Sequence, residues 1–281
     1  MSTTVNLIGA GKVGQTLLRC MARLPDVTIQ DVASARHSSS VEAVEAVDQG
    51  HAVPALADMA AADVWFLTVP DTKIGEIAAE LAETIGKKGK ASRPQIAVHC
   101  SGYHAAEVMA PLRNLGWSLA SAHPMLSFAD PETAAGRFPG TWCGVEGDGP
   151  GVEAIENLLR MLGARPFPIA SEAKALYHAA AVFTNNFTTV LQAIALEAWE
   201  AAGVPDDVAR ELNWTLLRST VENIDRFGPQ DALTGPAARG DREVVRDQGR
   251  SVSEWHDDAG KVYRDLSALA ARLKTTGNTR G

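Results

Sequence analysis

The stretch from residue 3 to residue 24 restricts the fold of this chain more than any other part of the sequence. Val5, Leu7 and Ile8 form a short, mainly apolar run, and three glycines follow in the spacing G-x-G-x-x-G, at Gly9, Gly11 and Gly14. Apolar residues then recur with the period of a helix, at Leu17, Leu18, Met21 and Leu24. The apolar run predicts a buried strand and the later period predicts a helix, so the glycines occupy the turn between them. This order is typical of the first unit of an open parallel sheet.

Four further apolar runs of strand length follow, and helical periodicity fills several gaps between them. The runs are VTIQDVAS, VWFLTVP, QIAVHCSG and WSLASAHP. This alternation predicts the α/β class, with a Rossmann-type doubly wound parallel sheet. From Ser171 to Ala202 the sequence is rich in alanine and lacks proline and glycine, which predicts one long helix. We therefore expect a Rossmann-like domain over residues 1–170 and an all-α domain over residues 171–281.

The balance of charge and the cysteine count exclude several classes of function. The chain carries 34 acidic and 26 basic side chains, for a formal net charge of -8, and the basic residues form no dense block. This argues against a broad nucleic-acid surface. Three cysteines without C-x-x-C spacing indicate a reducing, cytoplasmic setting. We expect no leader sequence, and we expect charged residues to interrupt every window of the roughly 20 apolar residues that a membrane span needs.

The glycine turn predicts a dinucleotide site. In that interpretation Gly9 permits the tight turn, Gly11 lets the backbone approach the pyrophosphate, and Gly14 lets helix and strand pack closely. The N–H groups at the start of the helix, around Lys12 and Val13, would then meet the anion. A glycine-rich turn with no ligand is the alternative. The strand before the turn and the helix after it favour dinucleotide binding.

Two sets of residues compete to select between NAD and NADP. Asp31 stands at about the right distance to bind a ribose 2′-hydroxyl, which would favour NAD. The strand VTIQDVAS continues beyond it, however, and the polar turn begins only at Ser34. Ser34, Arg36 and Ser38 would form a charge-assisted site for a 2′-phosphate. The sequence favours NADP, with an ordinary solvated serine-rich loop as the alternative.

Several candidate site residues lie at the ends of the last three apolar runs. Val69 and Pro70 follow the fourth apolar run, where ligands of open α/β sheets bind, and would line the cofactor. His99, Ser101 and His123 follow the next two runs and would line a substrate or cofactor site. A buried structural histidine is the alternative for His99. No spacing supports a metal site, so we predict no metal ligands.

A polar stripe interrupts the long predicted helix. On an ideal helix Lys174, His178 and Asn185 fall within about 40° of one another. Buried polar groups need partners, and a substrate is one candidate; a solvated lysine with a structural histidine and asparagine is the alternative. The loop ALTGPAARGD, further along, would close over an active site through Arg239 and Asp241, unless these two residues pair with each other at the surface.

The ordered set of motifs GAGKVG, VPDTKI, HCSG, SAHPMLSF, KALYHAAAVFTNN and ALTGPAARGD resembles a family of two-domain Rossmann-like oxidoreductases. The C-terminal part of that family is classified only as a domain of unknown function. More distantly, the arrangement is similar to pyrroline-5-carboxylate reductase, the 3-hydroxyacid dehydrogenases and ketopantoate reductase. This resemblance implies an NAD(P) cofactor and a helical second domain. In the hydroxyacid dehydrogenases an asparagine follows the lysine by one helical turn. Here Lys174 matches the lysine and His178 stands in place of the asparagine, which argues against a hydroxyacid substrate.

These observations predict an NADP-dependent oxidoreductase that transfers a hydride between the nicotinamide and a small C=O or C=N substrate. Lys174 would polarise the substrate or donate a proton, and His178 and Asn185 would orient it. The alternative is a non-catalytic NADP(H) sensor or regulatory protein. The apolar circumference of the long helix predicts a homodimer formed by the helical domain.

Overall fold

The computed structural model describes residues 2–88 and 95–280. It divides the chain into two compact units, one that ends at Val182 and one that begins at Phe183. The predicted domain boundary at 170/171 precedes this division. The first turns of the helix that follows residue 171 thus belong to the first unit.

A single eight-stranded sheet forms the centre of the first unit. The strand order is β3-β2-β1-β4-β5-β6-β7-β8, and each adjacent pair is parallel except β6 and β7. The predicted Rossmann-type sheet is therefore confirmed, while the antiparallel β7 was not predicted. The strands are β1 Thr3–Ile8, β2 Val27–Ala33, β3 His51–Ala52, β4 Val64–Leu67, β5 Ile96–His99, β6 Ser118–Pro124, β7 Trp142–Gly147 and β8 Arg165–Pro168.

Helices cover both faces of this sheet. Side chains alternate along β4, so that Phe66 packs with the helices Lys12–Met21 and Gly149–Met161 on one face while Leu67 packs with the helix Ile74–Lys88 on the other. Strands buried on both faces must be apolar at nearly every position, which explains the continuous apolar runs of the sequence. The helices of this unit are α1 Lys12–Met21, α2 His37–Glu45, α3 Ile74–Lys88, α4 Pro131–Arg137, α5 Gly149–Met161 and α6 Lys174–Val182, with a 3-10 segment at Ala106–Leu115.

The second unit is entirely helical, as predicted. It begins with a π-helical turn at Phe183–Phe187, so the long helix expected from Ser171 to Ala202 is interrupted. One helix, α8, bends at Gly228, whose φ is 76°. The helices are α7 Thr188–Ala201, α8 Asp206–Ala232, α9 Pro236–Arg239, α10 Arg242–Trp255 and α11 Asp257–Thr276.

Among the described residues, the helical segment Ser171–Ala201 is long and apolar enough to cross a membrane by length and composition. The expectation that charged residues interrupt every such window is wrong here, because no Asp, Glu, Lys or Arg lies between Lys174 and Glu197. Core helices of water-soluble proteins meet the same criterion, so this is weak evidence for a membrane span.

Candidate functional site

The turn between β1 and α1 shows why each of its three glycines is needed. Gly9 has a φ of 105°, and a Cβ there would lie 2.7 Å from the Thr68 carbonyl. A Cβ at Gly14 would overlap the Gly9 carbonyl oxygen. At Gly11 a Cβ would meet nothing within 4 Å, so this position opens onto free space. Packing requires the first and third glycines, whereas Gly11 leaves space for a ligand beside the backbone.

The start of α1 is suited to an anion. Gly11 is the N-cap, no side chain caps the helix, and no acidic residue occupies the first turn. The N–H groups around Lys12 and Val13 therefore retain the partial positive charge of a helix N-terminus. Thr68, which follows β4, donates its hydroxyl to the Gly9 carbonyl at 2.6 Å and holds the turn in place. The turn fits the pyrophosphate of a dinucleotide.

Asp31 is engaged within the sheet. It is 5% exposed, and its Oδ2 accepts a hydrogen bond from the Ala60 N–H at 2.7 Å. Its Oδ1 lies 3.7 Å from His51 Nδ1. Strand β2 continues to Ala33, as the sequence predicted. The Asp31 carboxylate is thus occupied by structural contacts, which weakens the interpretation that it binds a ribose hydroxyl.

The residues predicted to bind a 2′-phosphate lie just beyond the end of β2. Ser34 is the first residue after the strand, and its Oγ accepts from the Ala10 N–H of the glycine turn at 3.4 Å. Arg36 is the exposed N-cap residue of α2, and Ser38 is exposed in the first turn of that helix. On the other side of the glycine turn, Val69 packs partly into the core and Pro70 is exposed.

His99 and Ser101 have structural roles. His99 is fully buried, its Nδ1 accepts from the Ser101 N–H at 3.1 Å, and its Nε2 lies 3.2 Å from the Ala105 carbonyl. Burial, followed by the nearby Lys174, lowers the pKa of His99 to about 3. Ser101 Oγ accepts from the N–H groups of Tyr103 and His104. The buried structural histidine is therefore the alternative that describes His99, and the Ser101 oxygen holds the turn that follows β5 while its O–H remains available as a donor.

Lys174 is also buried, with only 1% of its surface exposed. Its Nζ donates to the Ser101 carbonyl at 2.8 Å and to the Ser121 hydroxyl, and lies 3.7 Å from Glu146 Oε1. Burial lowers the pKa of Lys174, while Glu146 opposes that effect. Glu146 in turn accepts from the Ala106 N–H and from the Ser171 hydroxyl. Lys174 therefore ties α6 to the sheet, and this placement does not support direct contact with a substrate.

The predicted stripe of Lys174, His178 and Asn185 assumed an uninterrupted period of 3.6 residues. Asn185 lies within the π-helical turn, where the backbone bonds run from i to i+5 and that period fails. Asn185 is exposed and belongs to the second unit. The stripe is therefore not a single α-helical face, and only Lys174 and His178 lie in α6.

A half-buried polar cluster forms where α6 meets the end of β6, and its members are His123, Tyr177 and His178. His123 Nδ1 lies 3.0 Å from the Tyr177 hydroxyl, and the His123 and His178 rings meet edge to face with centroids 5.6 Å apart. A Cβ on Gly102 would overlap His178 Nδ1 and lie 2.8 Å from His123 Nε2. A glycine is therefore required beneath both rings.

Burial sets the protonation of this cluster. It lowers the pKa of His123 to about 4, with the nearby His178 and Lys174 adding to the effect. It raises the pKa of Tyr177 to about 12. Both groups are neutral near pH 7. Within the described residues, His178 Nδ1 is buried without a hydrogen-bond partner, and none is found for His123 Nε2.

Sequence reasoning identified His123 and missed Tyr177 and Glu146. Tyr177 follows Lys174 by three residues, so a helical projection could have found it. Glu146 gave no local signal, because it lies on a strand far from Lys174 in sequence. Across residues 2–88 and 95–280, no group of three or more His, Cys, Asp or Glu side chains is arranged to hold a metal ion.

Comparison with known proteins agrees with this architecture. Residues 2–124 match a Rossmann-like domain, and residues 141–270 match a domain of unknown function, DUF2520. The chain combines these two domains. The predicted resemblance is thereby confirmed. No curated protein matches the chain at a significant level of sequence similarity.

Solved structures share the fold along nearly the whole chain. A protein from Bacteroides fragilis described as a candidate NADP oxidoreductase is 24% identical, with a TM-score of 0.76 over 96% of this chain and 98% of that one. An imine reductase from Myxococcus stipitatus in complex with NADP+ is 15% identical, with a TM-score of 0.66 over 98% and 96%. A pyrroline-5-carboxylate reductase from Coxiella burnetii is 15% identical, with a TM-score of 0.56 over 98% and 100%.

Proposed function

We propose that the chain is an NADP-dependent oxidoreductase that acts on a small C=O or C=N substrate. The observation that carries this proposal is the glycine turn, with free space at Gly11 beside the uncapped N-terminus of α1. The turn follows β1, where the order of the strands changes direction: β2 lies on one side of β1 and β4 on the other. Open α/β sheets bind ligands at such a position. The NADP complex of the Myxococcus stipitatus imine reductase supports the same choice of cofactor.

The choice of NADP over NAD rests on the end of β2. The Asp31 carboxylate already accepts a hydrogen bond from the Ala60 N–H, whereas Arg36 and Ser38 are exposed beside the turn. A guanidinium and hydroxyl groups bind a phosphate well.

When bound, the reduced nicotinamide supplies the hydride. His123 would contact the substrate at the carboxyl end of β6. In the sheet, β6 lies three strand positions from β1, so the two strands are about 14 Å apart at the usual strand spacing. Its neutral ring carries one proton. When Tyr177 donates to Nδ1, that proton resides on Nε2, for which the described residues offer no partner. Nε2–H would then donate to the oxygen or nitrogen that gains negative charge.

Lys174 and His178 take supporting roles in this proposal. Lys174 is a positioning residue, because it holds the Ser101 carbonyl and the Ser121 hydroxyl at the base of the site. His178 would be a second positioning residue, because its ring packs edge to face against the His123 ring. C=N substrates are included because two structural neighbours are reductases of imines and of pyrroline-5-carboxylate.

A non-catalytic NADP(H) sensor is the second candidate. The observation that favours it is the burial of Lys174, which leaves no lysine of the cluster exposed to act as an acid. In that case NADPH would bind tightly without turnover.

A substrate screen separates the two candidates. NADPH oxidation is followed with 2-keto acids, aldehydes and cyclic imines, and NADP reduction with alcohols and amines. We expect turnover in at least one class, and His123→Ala to lower kcat for it by roughly a hundredfold. Tight NADPH binding without turnover in any class would favour the sensor instead.

A further inference from the structure

The second unit contains a groove of about 850 Å³ that the proposed redox site does not use. It lies between α10 and α11, and residues of α9 also line it. Cavities of this size are typical of sites for small molecules. All of the residues that line it belong to the second unit, so the groove is complete within that unit.

Five arginines surround this groove in a chain whose formal net charge is -8. Asp241 pairs with Arg239 at 3.0 Å and Asp247 lies 3.7 Å from Arg250. In the described part of the chain, no carboxylate lies within 4.0 Å of the other three, which are Arg242, Arg246 and Arg264. The groove therefore concentrates positive charge that the protein does not neutralise.

Three of these arginines follow one face of α10. Arg242, Arg246 and Arg250 are spaced by four residues, so they fall within about 80° and rise by about 6 Å at each step. Like charges at this spacing destabilise a helix. An anion that contacts Arg242 and Arg246, which lack a carboxylate within 4.0 Å in the described residues, would offset that cost.

The floor of the groove is made of small residues. Ala238, Gly249, Ala268 and Ala271 lie along it. A Cβ at Gly249 would approach Tyr263 at 3.5 Å and Arg264 at 3.8 Å, which are ordinary contacts, so packing of α10 on α11 does not require glycine there. Because these side chains are small, they leave room for a flat or slender apolar molecule beside the guanidinium groups.

We propose that this groove binds a small organic anion with two or more negative groups on an apolar body. The arginines would hold carboxylate or phosphate groups through paired N–H donors, and the alanines would contact the body. The spacing along α10 favours anionic groups separated by about 6 Å over a single compact ion.

Calorimetric titration of the full chain at low salt tests this proposal, with naphthalene disulfonate and citrate as probes. Naphthalene disulfonate carries separated charges on a flat apolar body, whereas citrate has no such body. We expect the disulfonate to bind at least about tenfold more tightly than citrate, and the double variant Arg242→Gln/Arg246→Gln to lose at least about tenfold in affinity for it. The control Arg218→Gln, on α8 outside the groove, should change the affinity by less than about twofold.

A second variant tests the groove without removing a charge, and it does not require that the double variant be stable. Ala271→Leu fills the floor without removing a guanidinium, so it should weaken disulfonate binding and leave citrate binding unchanged. Three results would overturn the proposal. They are the absence of disulfonate binding at millimolar concentration, an equal loss in Arg218→Gln, and a double variant that binds like the wild type while its sedimenting mass falls. The last result would make the groove an interface between copies of the chain.

Discussion

Arg36 carries the choice of cofactor at the level of a single residue. It lies exposed at the start of α2, while Asp31 is bonded to the Ala60 N–H. We expect Arg36→Ala to lose about 1.5 to 3 kcal/mol of NADPH binding and little NADH binding, because only the 2′-phosphate requires the guanidinium. Fluorescence titration with both cofactors measures this. Equal affinity of the wild-type chain for NADPH and NADH would return the selective role to Asp31.

His99 and His123 make the free energy of unfolding depend on pH. Their pKa values fall to about 3 and about 4 in the folded chain, from 6.5 when exposed. Between these values the unfolded chain binds more protons, so the free energy of unfolding decreases as the pH falls from about 6.5 towards 4. Each histidine contributes about 1.4 kcal/mol per pH unit within its own window.

Urea denaturation at several pH values between 4 and 7 measures this dependence. His123→Asn should give a shallower decrease than the wild type, because one of the two groups that titrate is removed. Identical slopes in the wild type and His123→Asn would show that His123 titrates normally.

At the level of elements, the glycine turn offers a matched pair of substitutions. A Cβ at Gly14 overlaps the Gly9 carbonyl, whereas one at Gly11 meets no atom. Gly14→Ala should therefore destabilise the fold by about 1 to 3 kcal/mol. Gly11→Ala should change stability by less than about 1 kcal/mol and weaken NADPH binding, because the methyl group enters the space left for the pyrophosphate. Thermal unfolding and cofactor titration give both quantities, and unchanged NADPH affinity in Gly11→Ala would place the pyrophosphate elsewhere.

Lys174 and Glu146 connect helix α6 to strand β7 through a buried pair. Lys174→Met leaves the Glu146 carboxylate without its cation, and breaking such a pair costs about 3 to 5 kcal/mol. Adding Glu146→Gln should recover much of that loss, because the amide oxygen still accepts from the Ala106 N–H and the amide nitrogen can donate to the Ser171 hydroxyl. Denaturation of the single and double variants tests this coupling. Lys174→Met with wild-type stability would show a solvated lysine.

The glycine turn and the Lys174–Glu146 pair also show which parts of the structure the sequence can predict. Apolar runs and glycine spacing depend on neighbours in the chain, so β1, the glycine turn and α1 were predictable. The burial of Lys174 depends on Glu146 and Ser121, which lie on other strands and carry no local signal. The π-helical turn at Phe183–Phe187 likewise follows a sequence with ordinary helical period. The substrate end of the site was therefore less predictable than the cofactor end.

At the scale of the whole molecule, the second unit exposes an unusual number of large apolar side chains. Trp214 is 59% exposed, Leu216 is 56% exposed and Phe227 is 50% exposed, all on α8. Val190 and Leu191 are exposed on α7. Exposed large apolar side chains in this number on two successive helices are typical of an interaction surface. A two-fold axis would bring the same helices of two copies together and cover these side chains.

We therefore expect the chain to sediment as a dimer at micromolar concentration, at twice the 29.8 kDa of one chain. Leu216→Asp places a charge in the apolar surface of α8 and should shift the equilibrium towards the monomer, because burying an unpaired carboxylate is costly. Asp225→Asn, on the same helix, also changes the net charge by one but removes no apolar side chain, so it should leave the mass unchanged. A wild-type chain that sediments near 30 kDa would mean that the apolar residues of α7 and α8 remain in contact with water, and the homodimer would have to be abandoned.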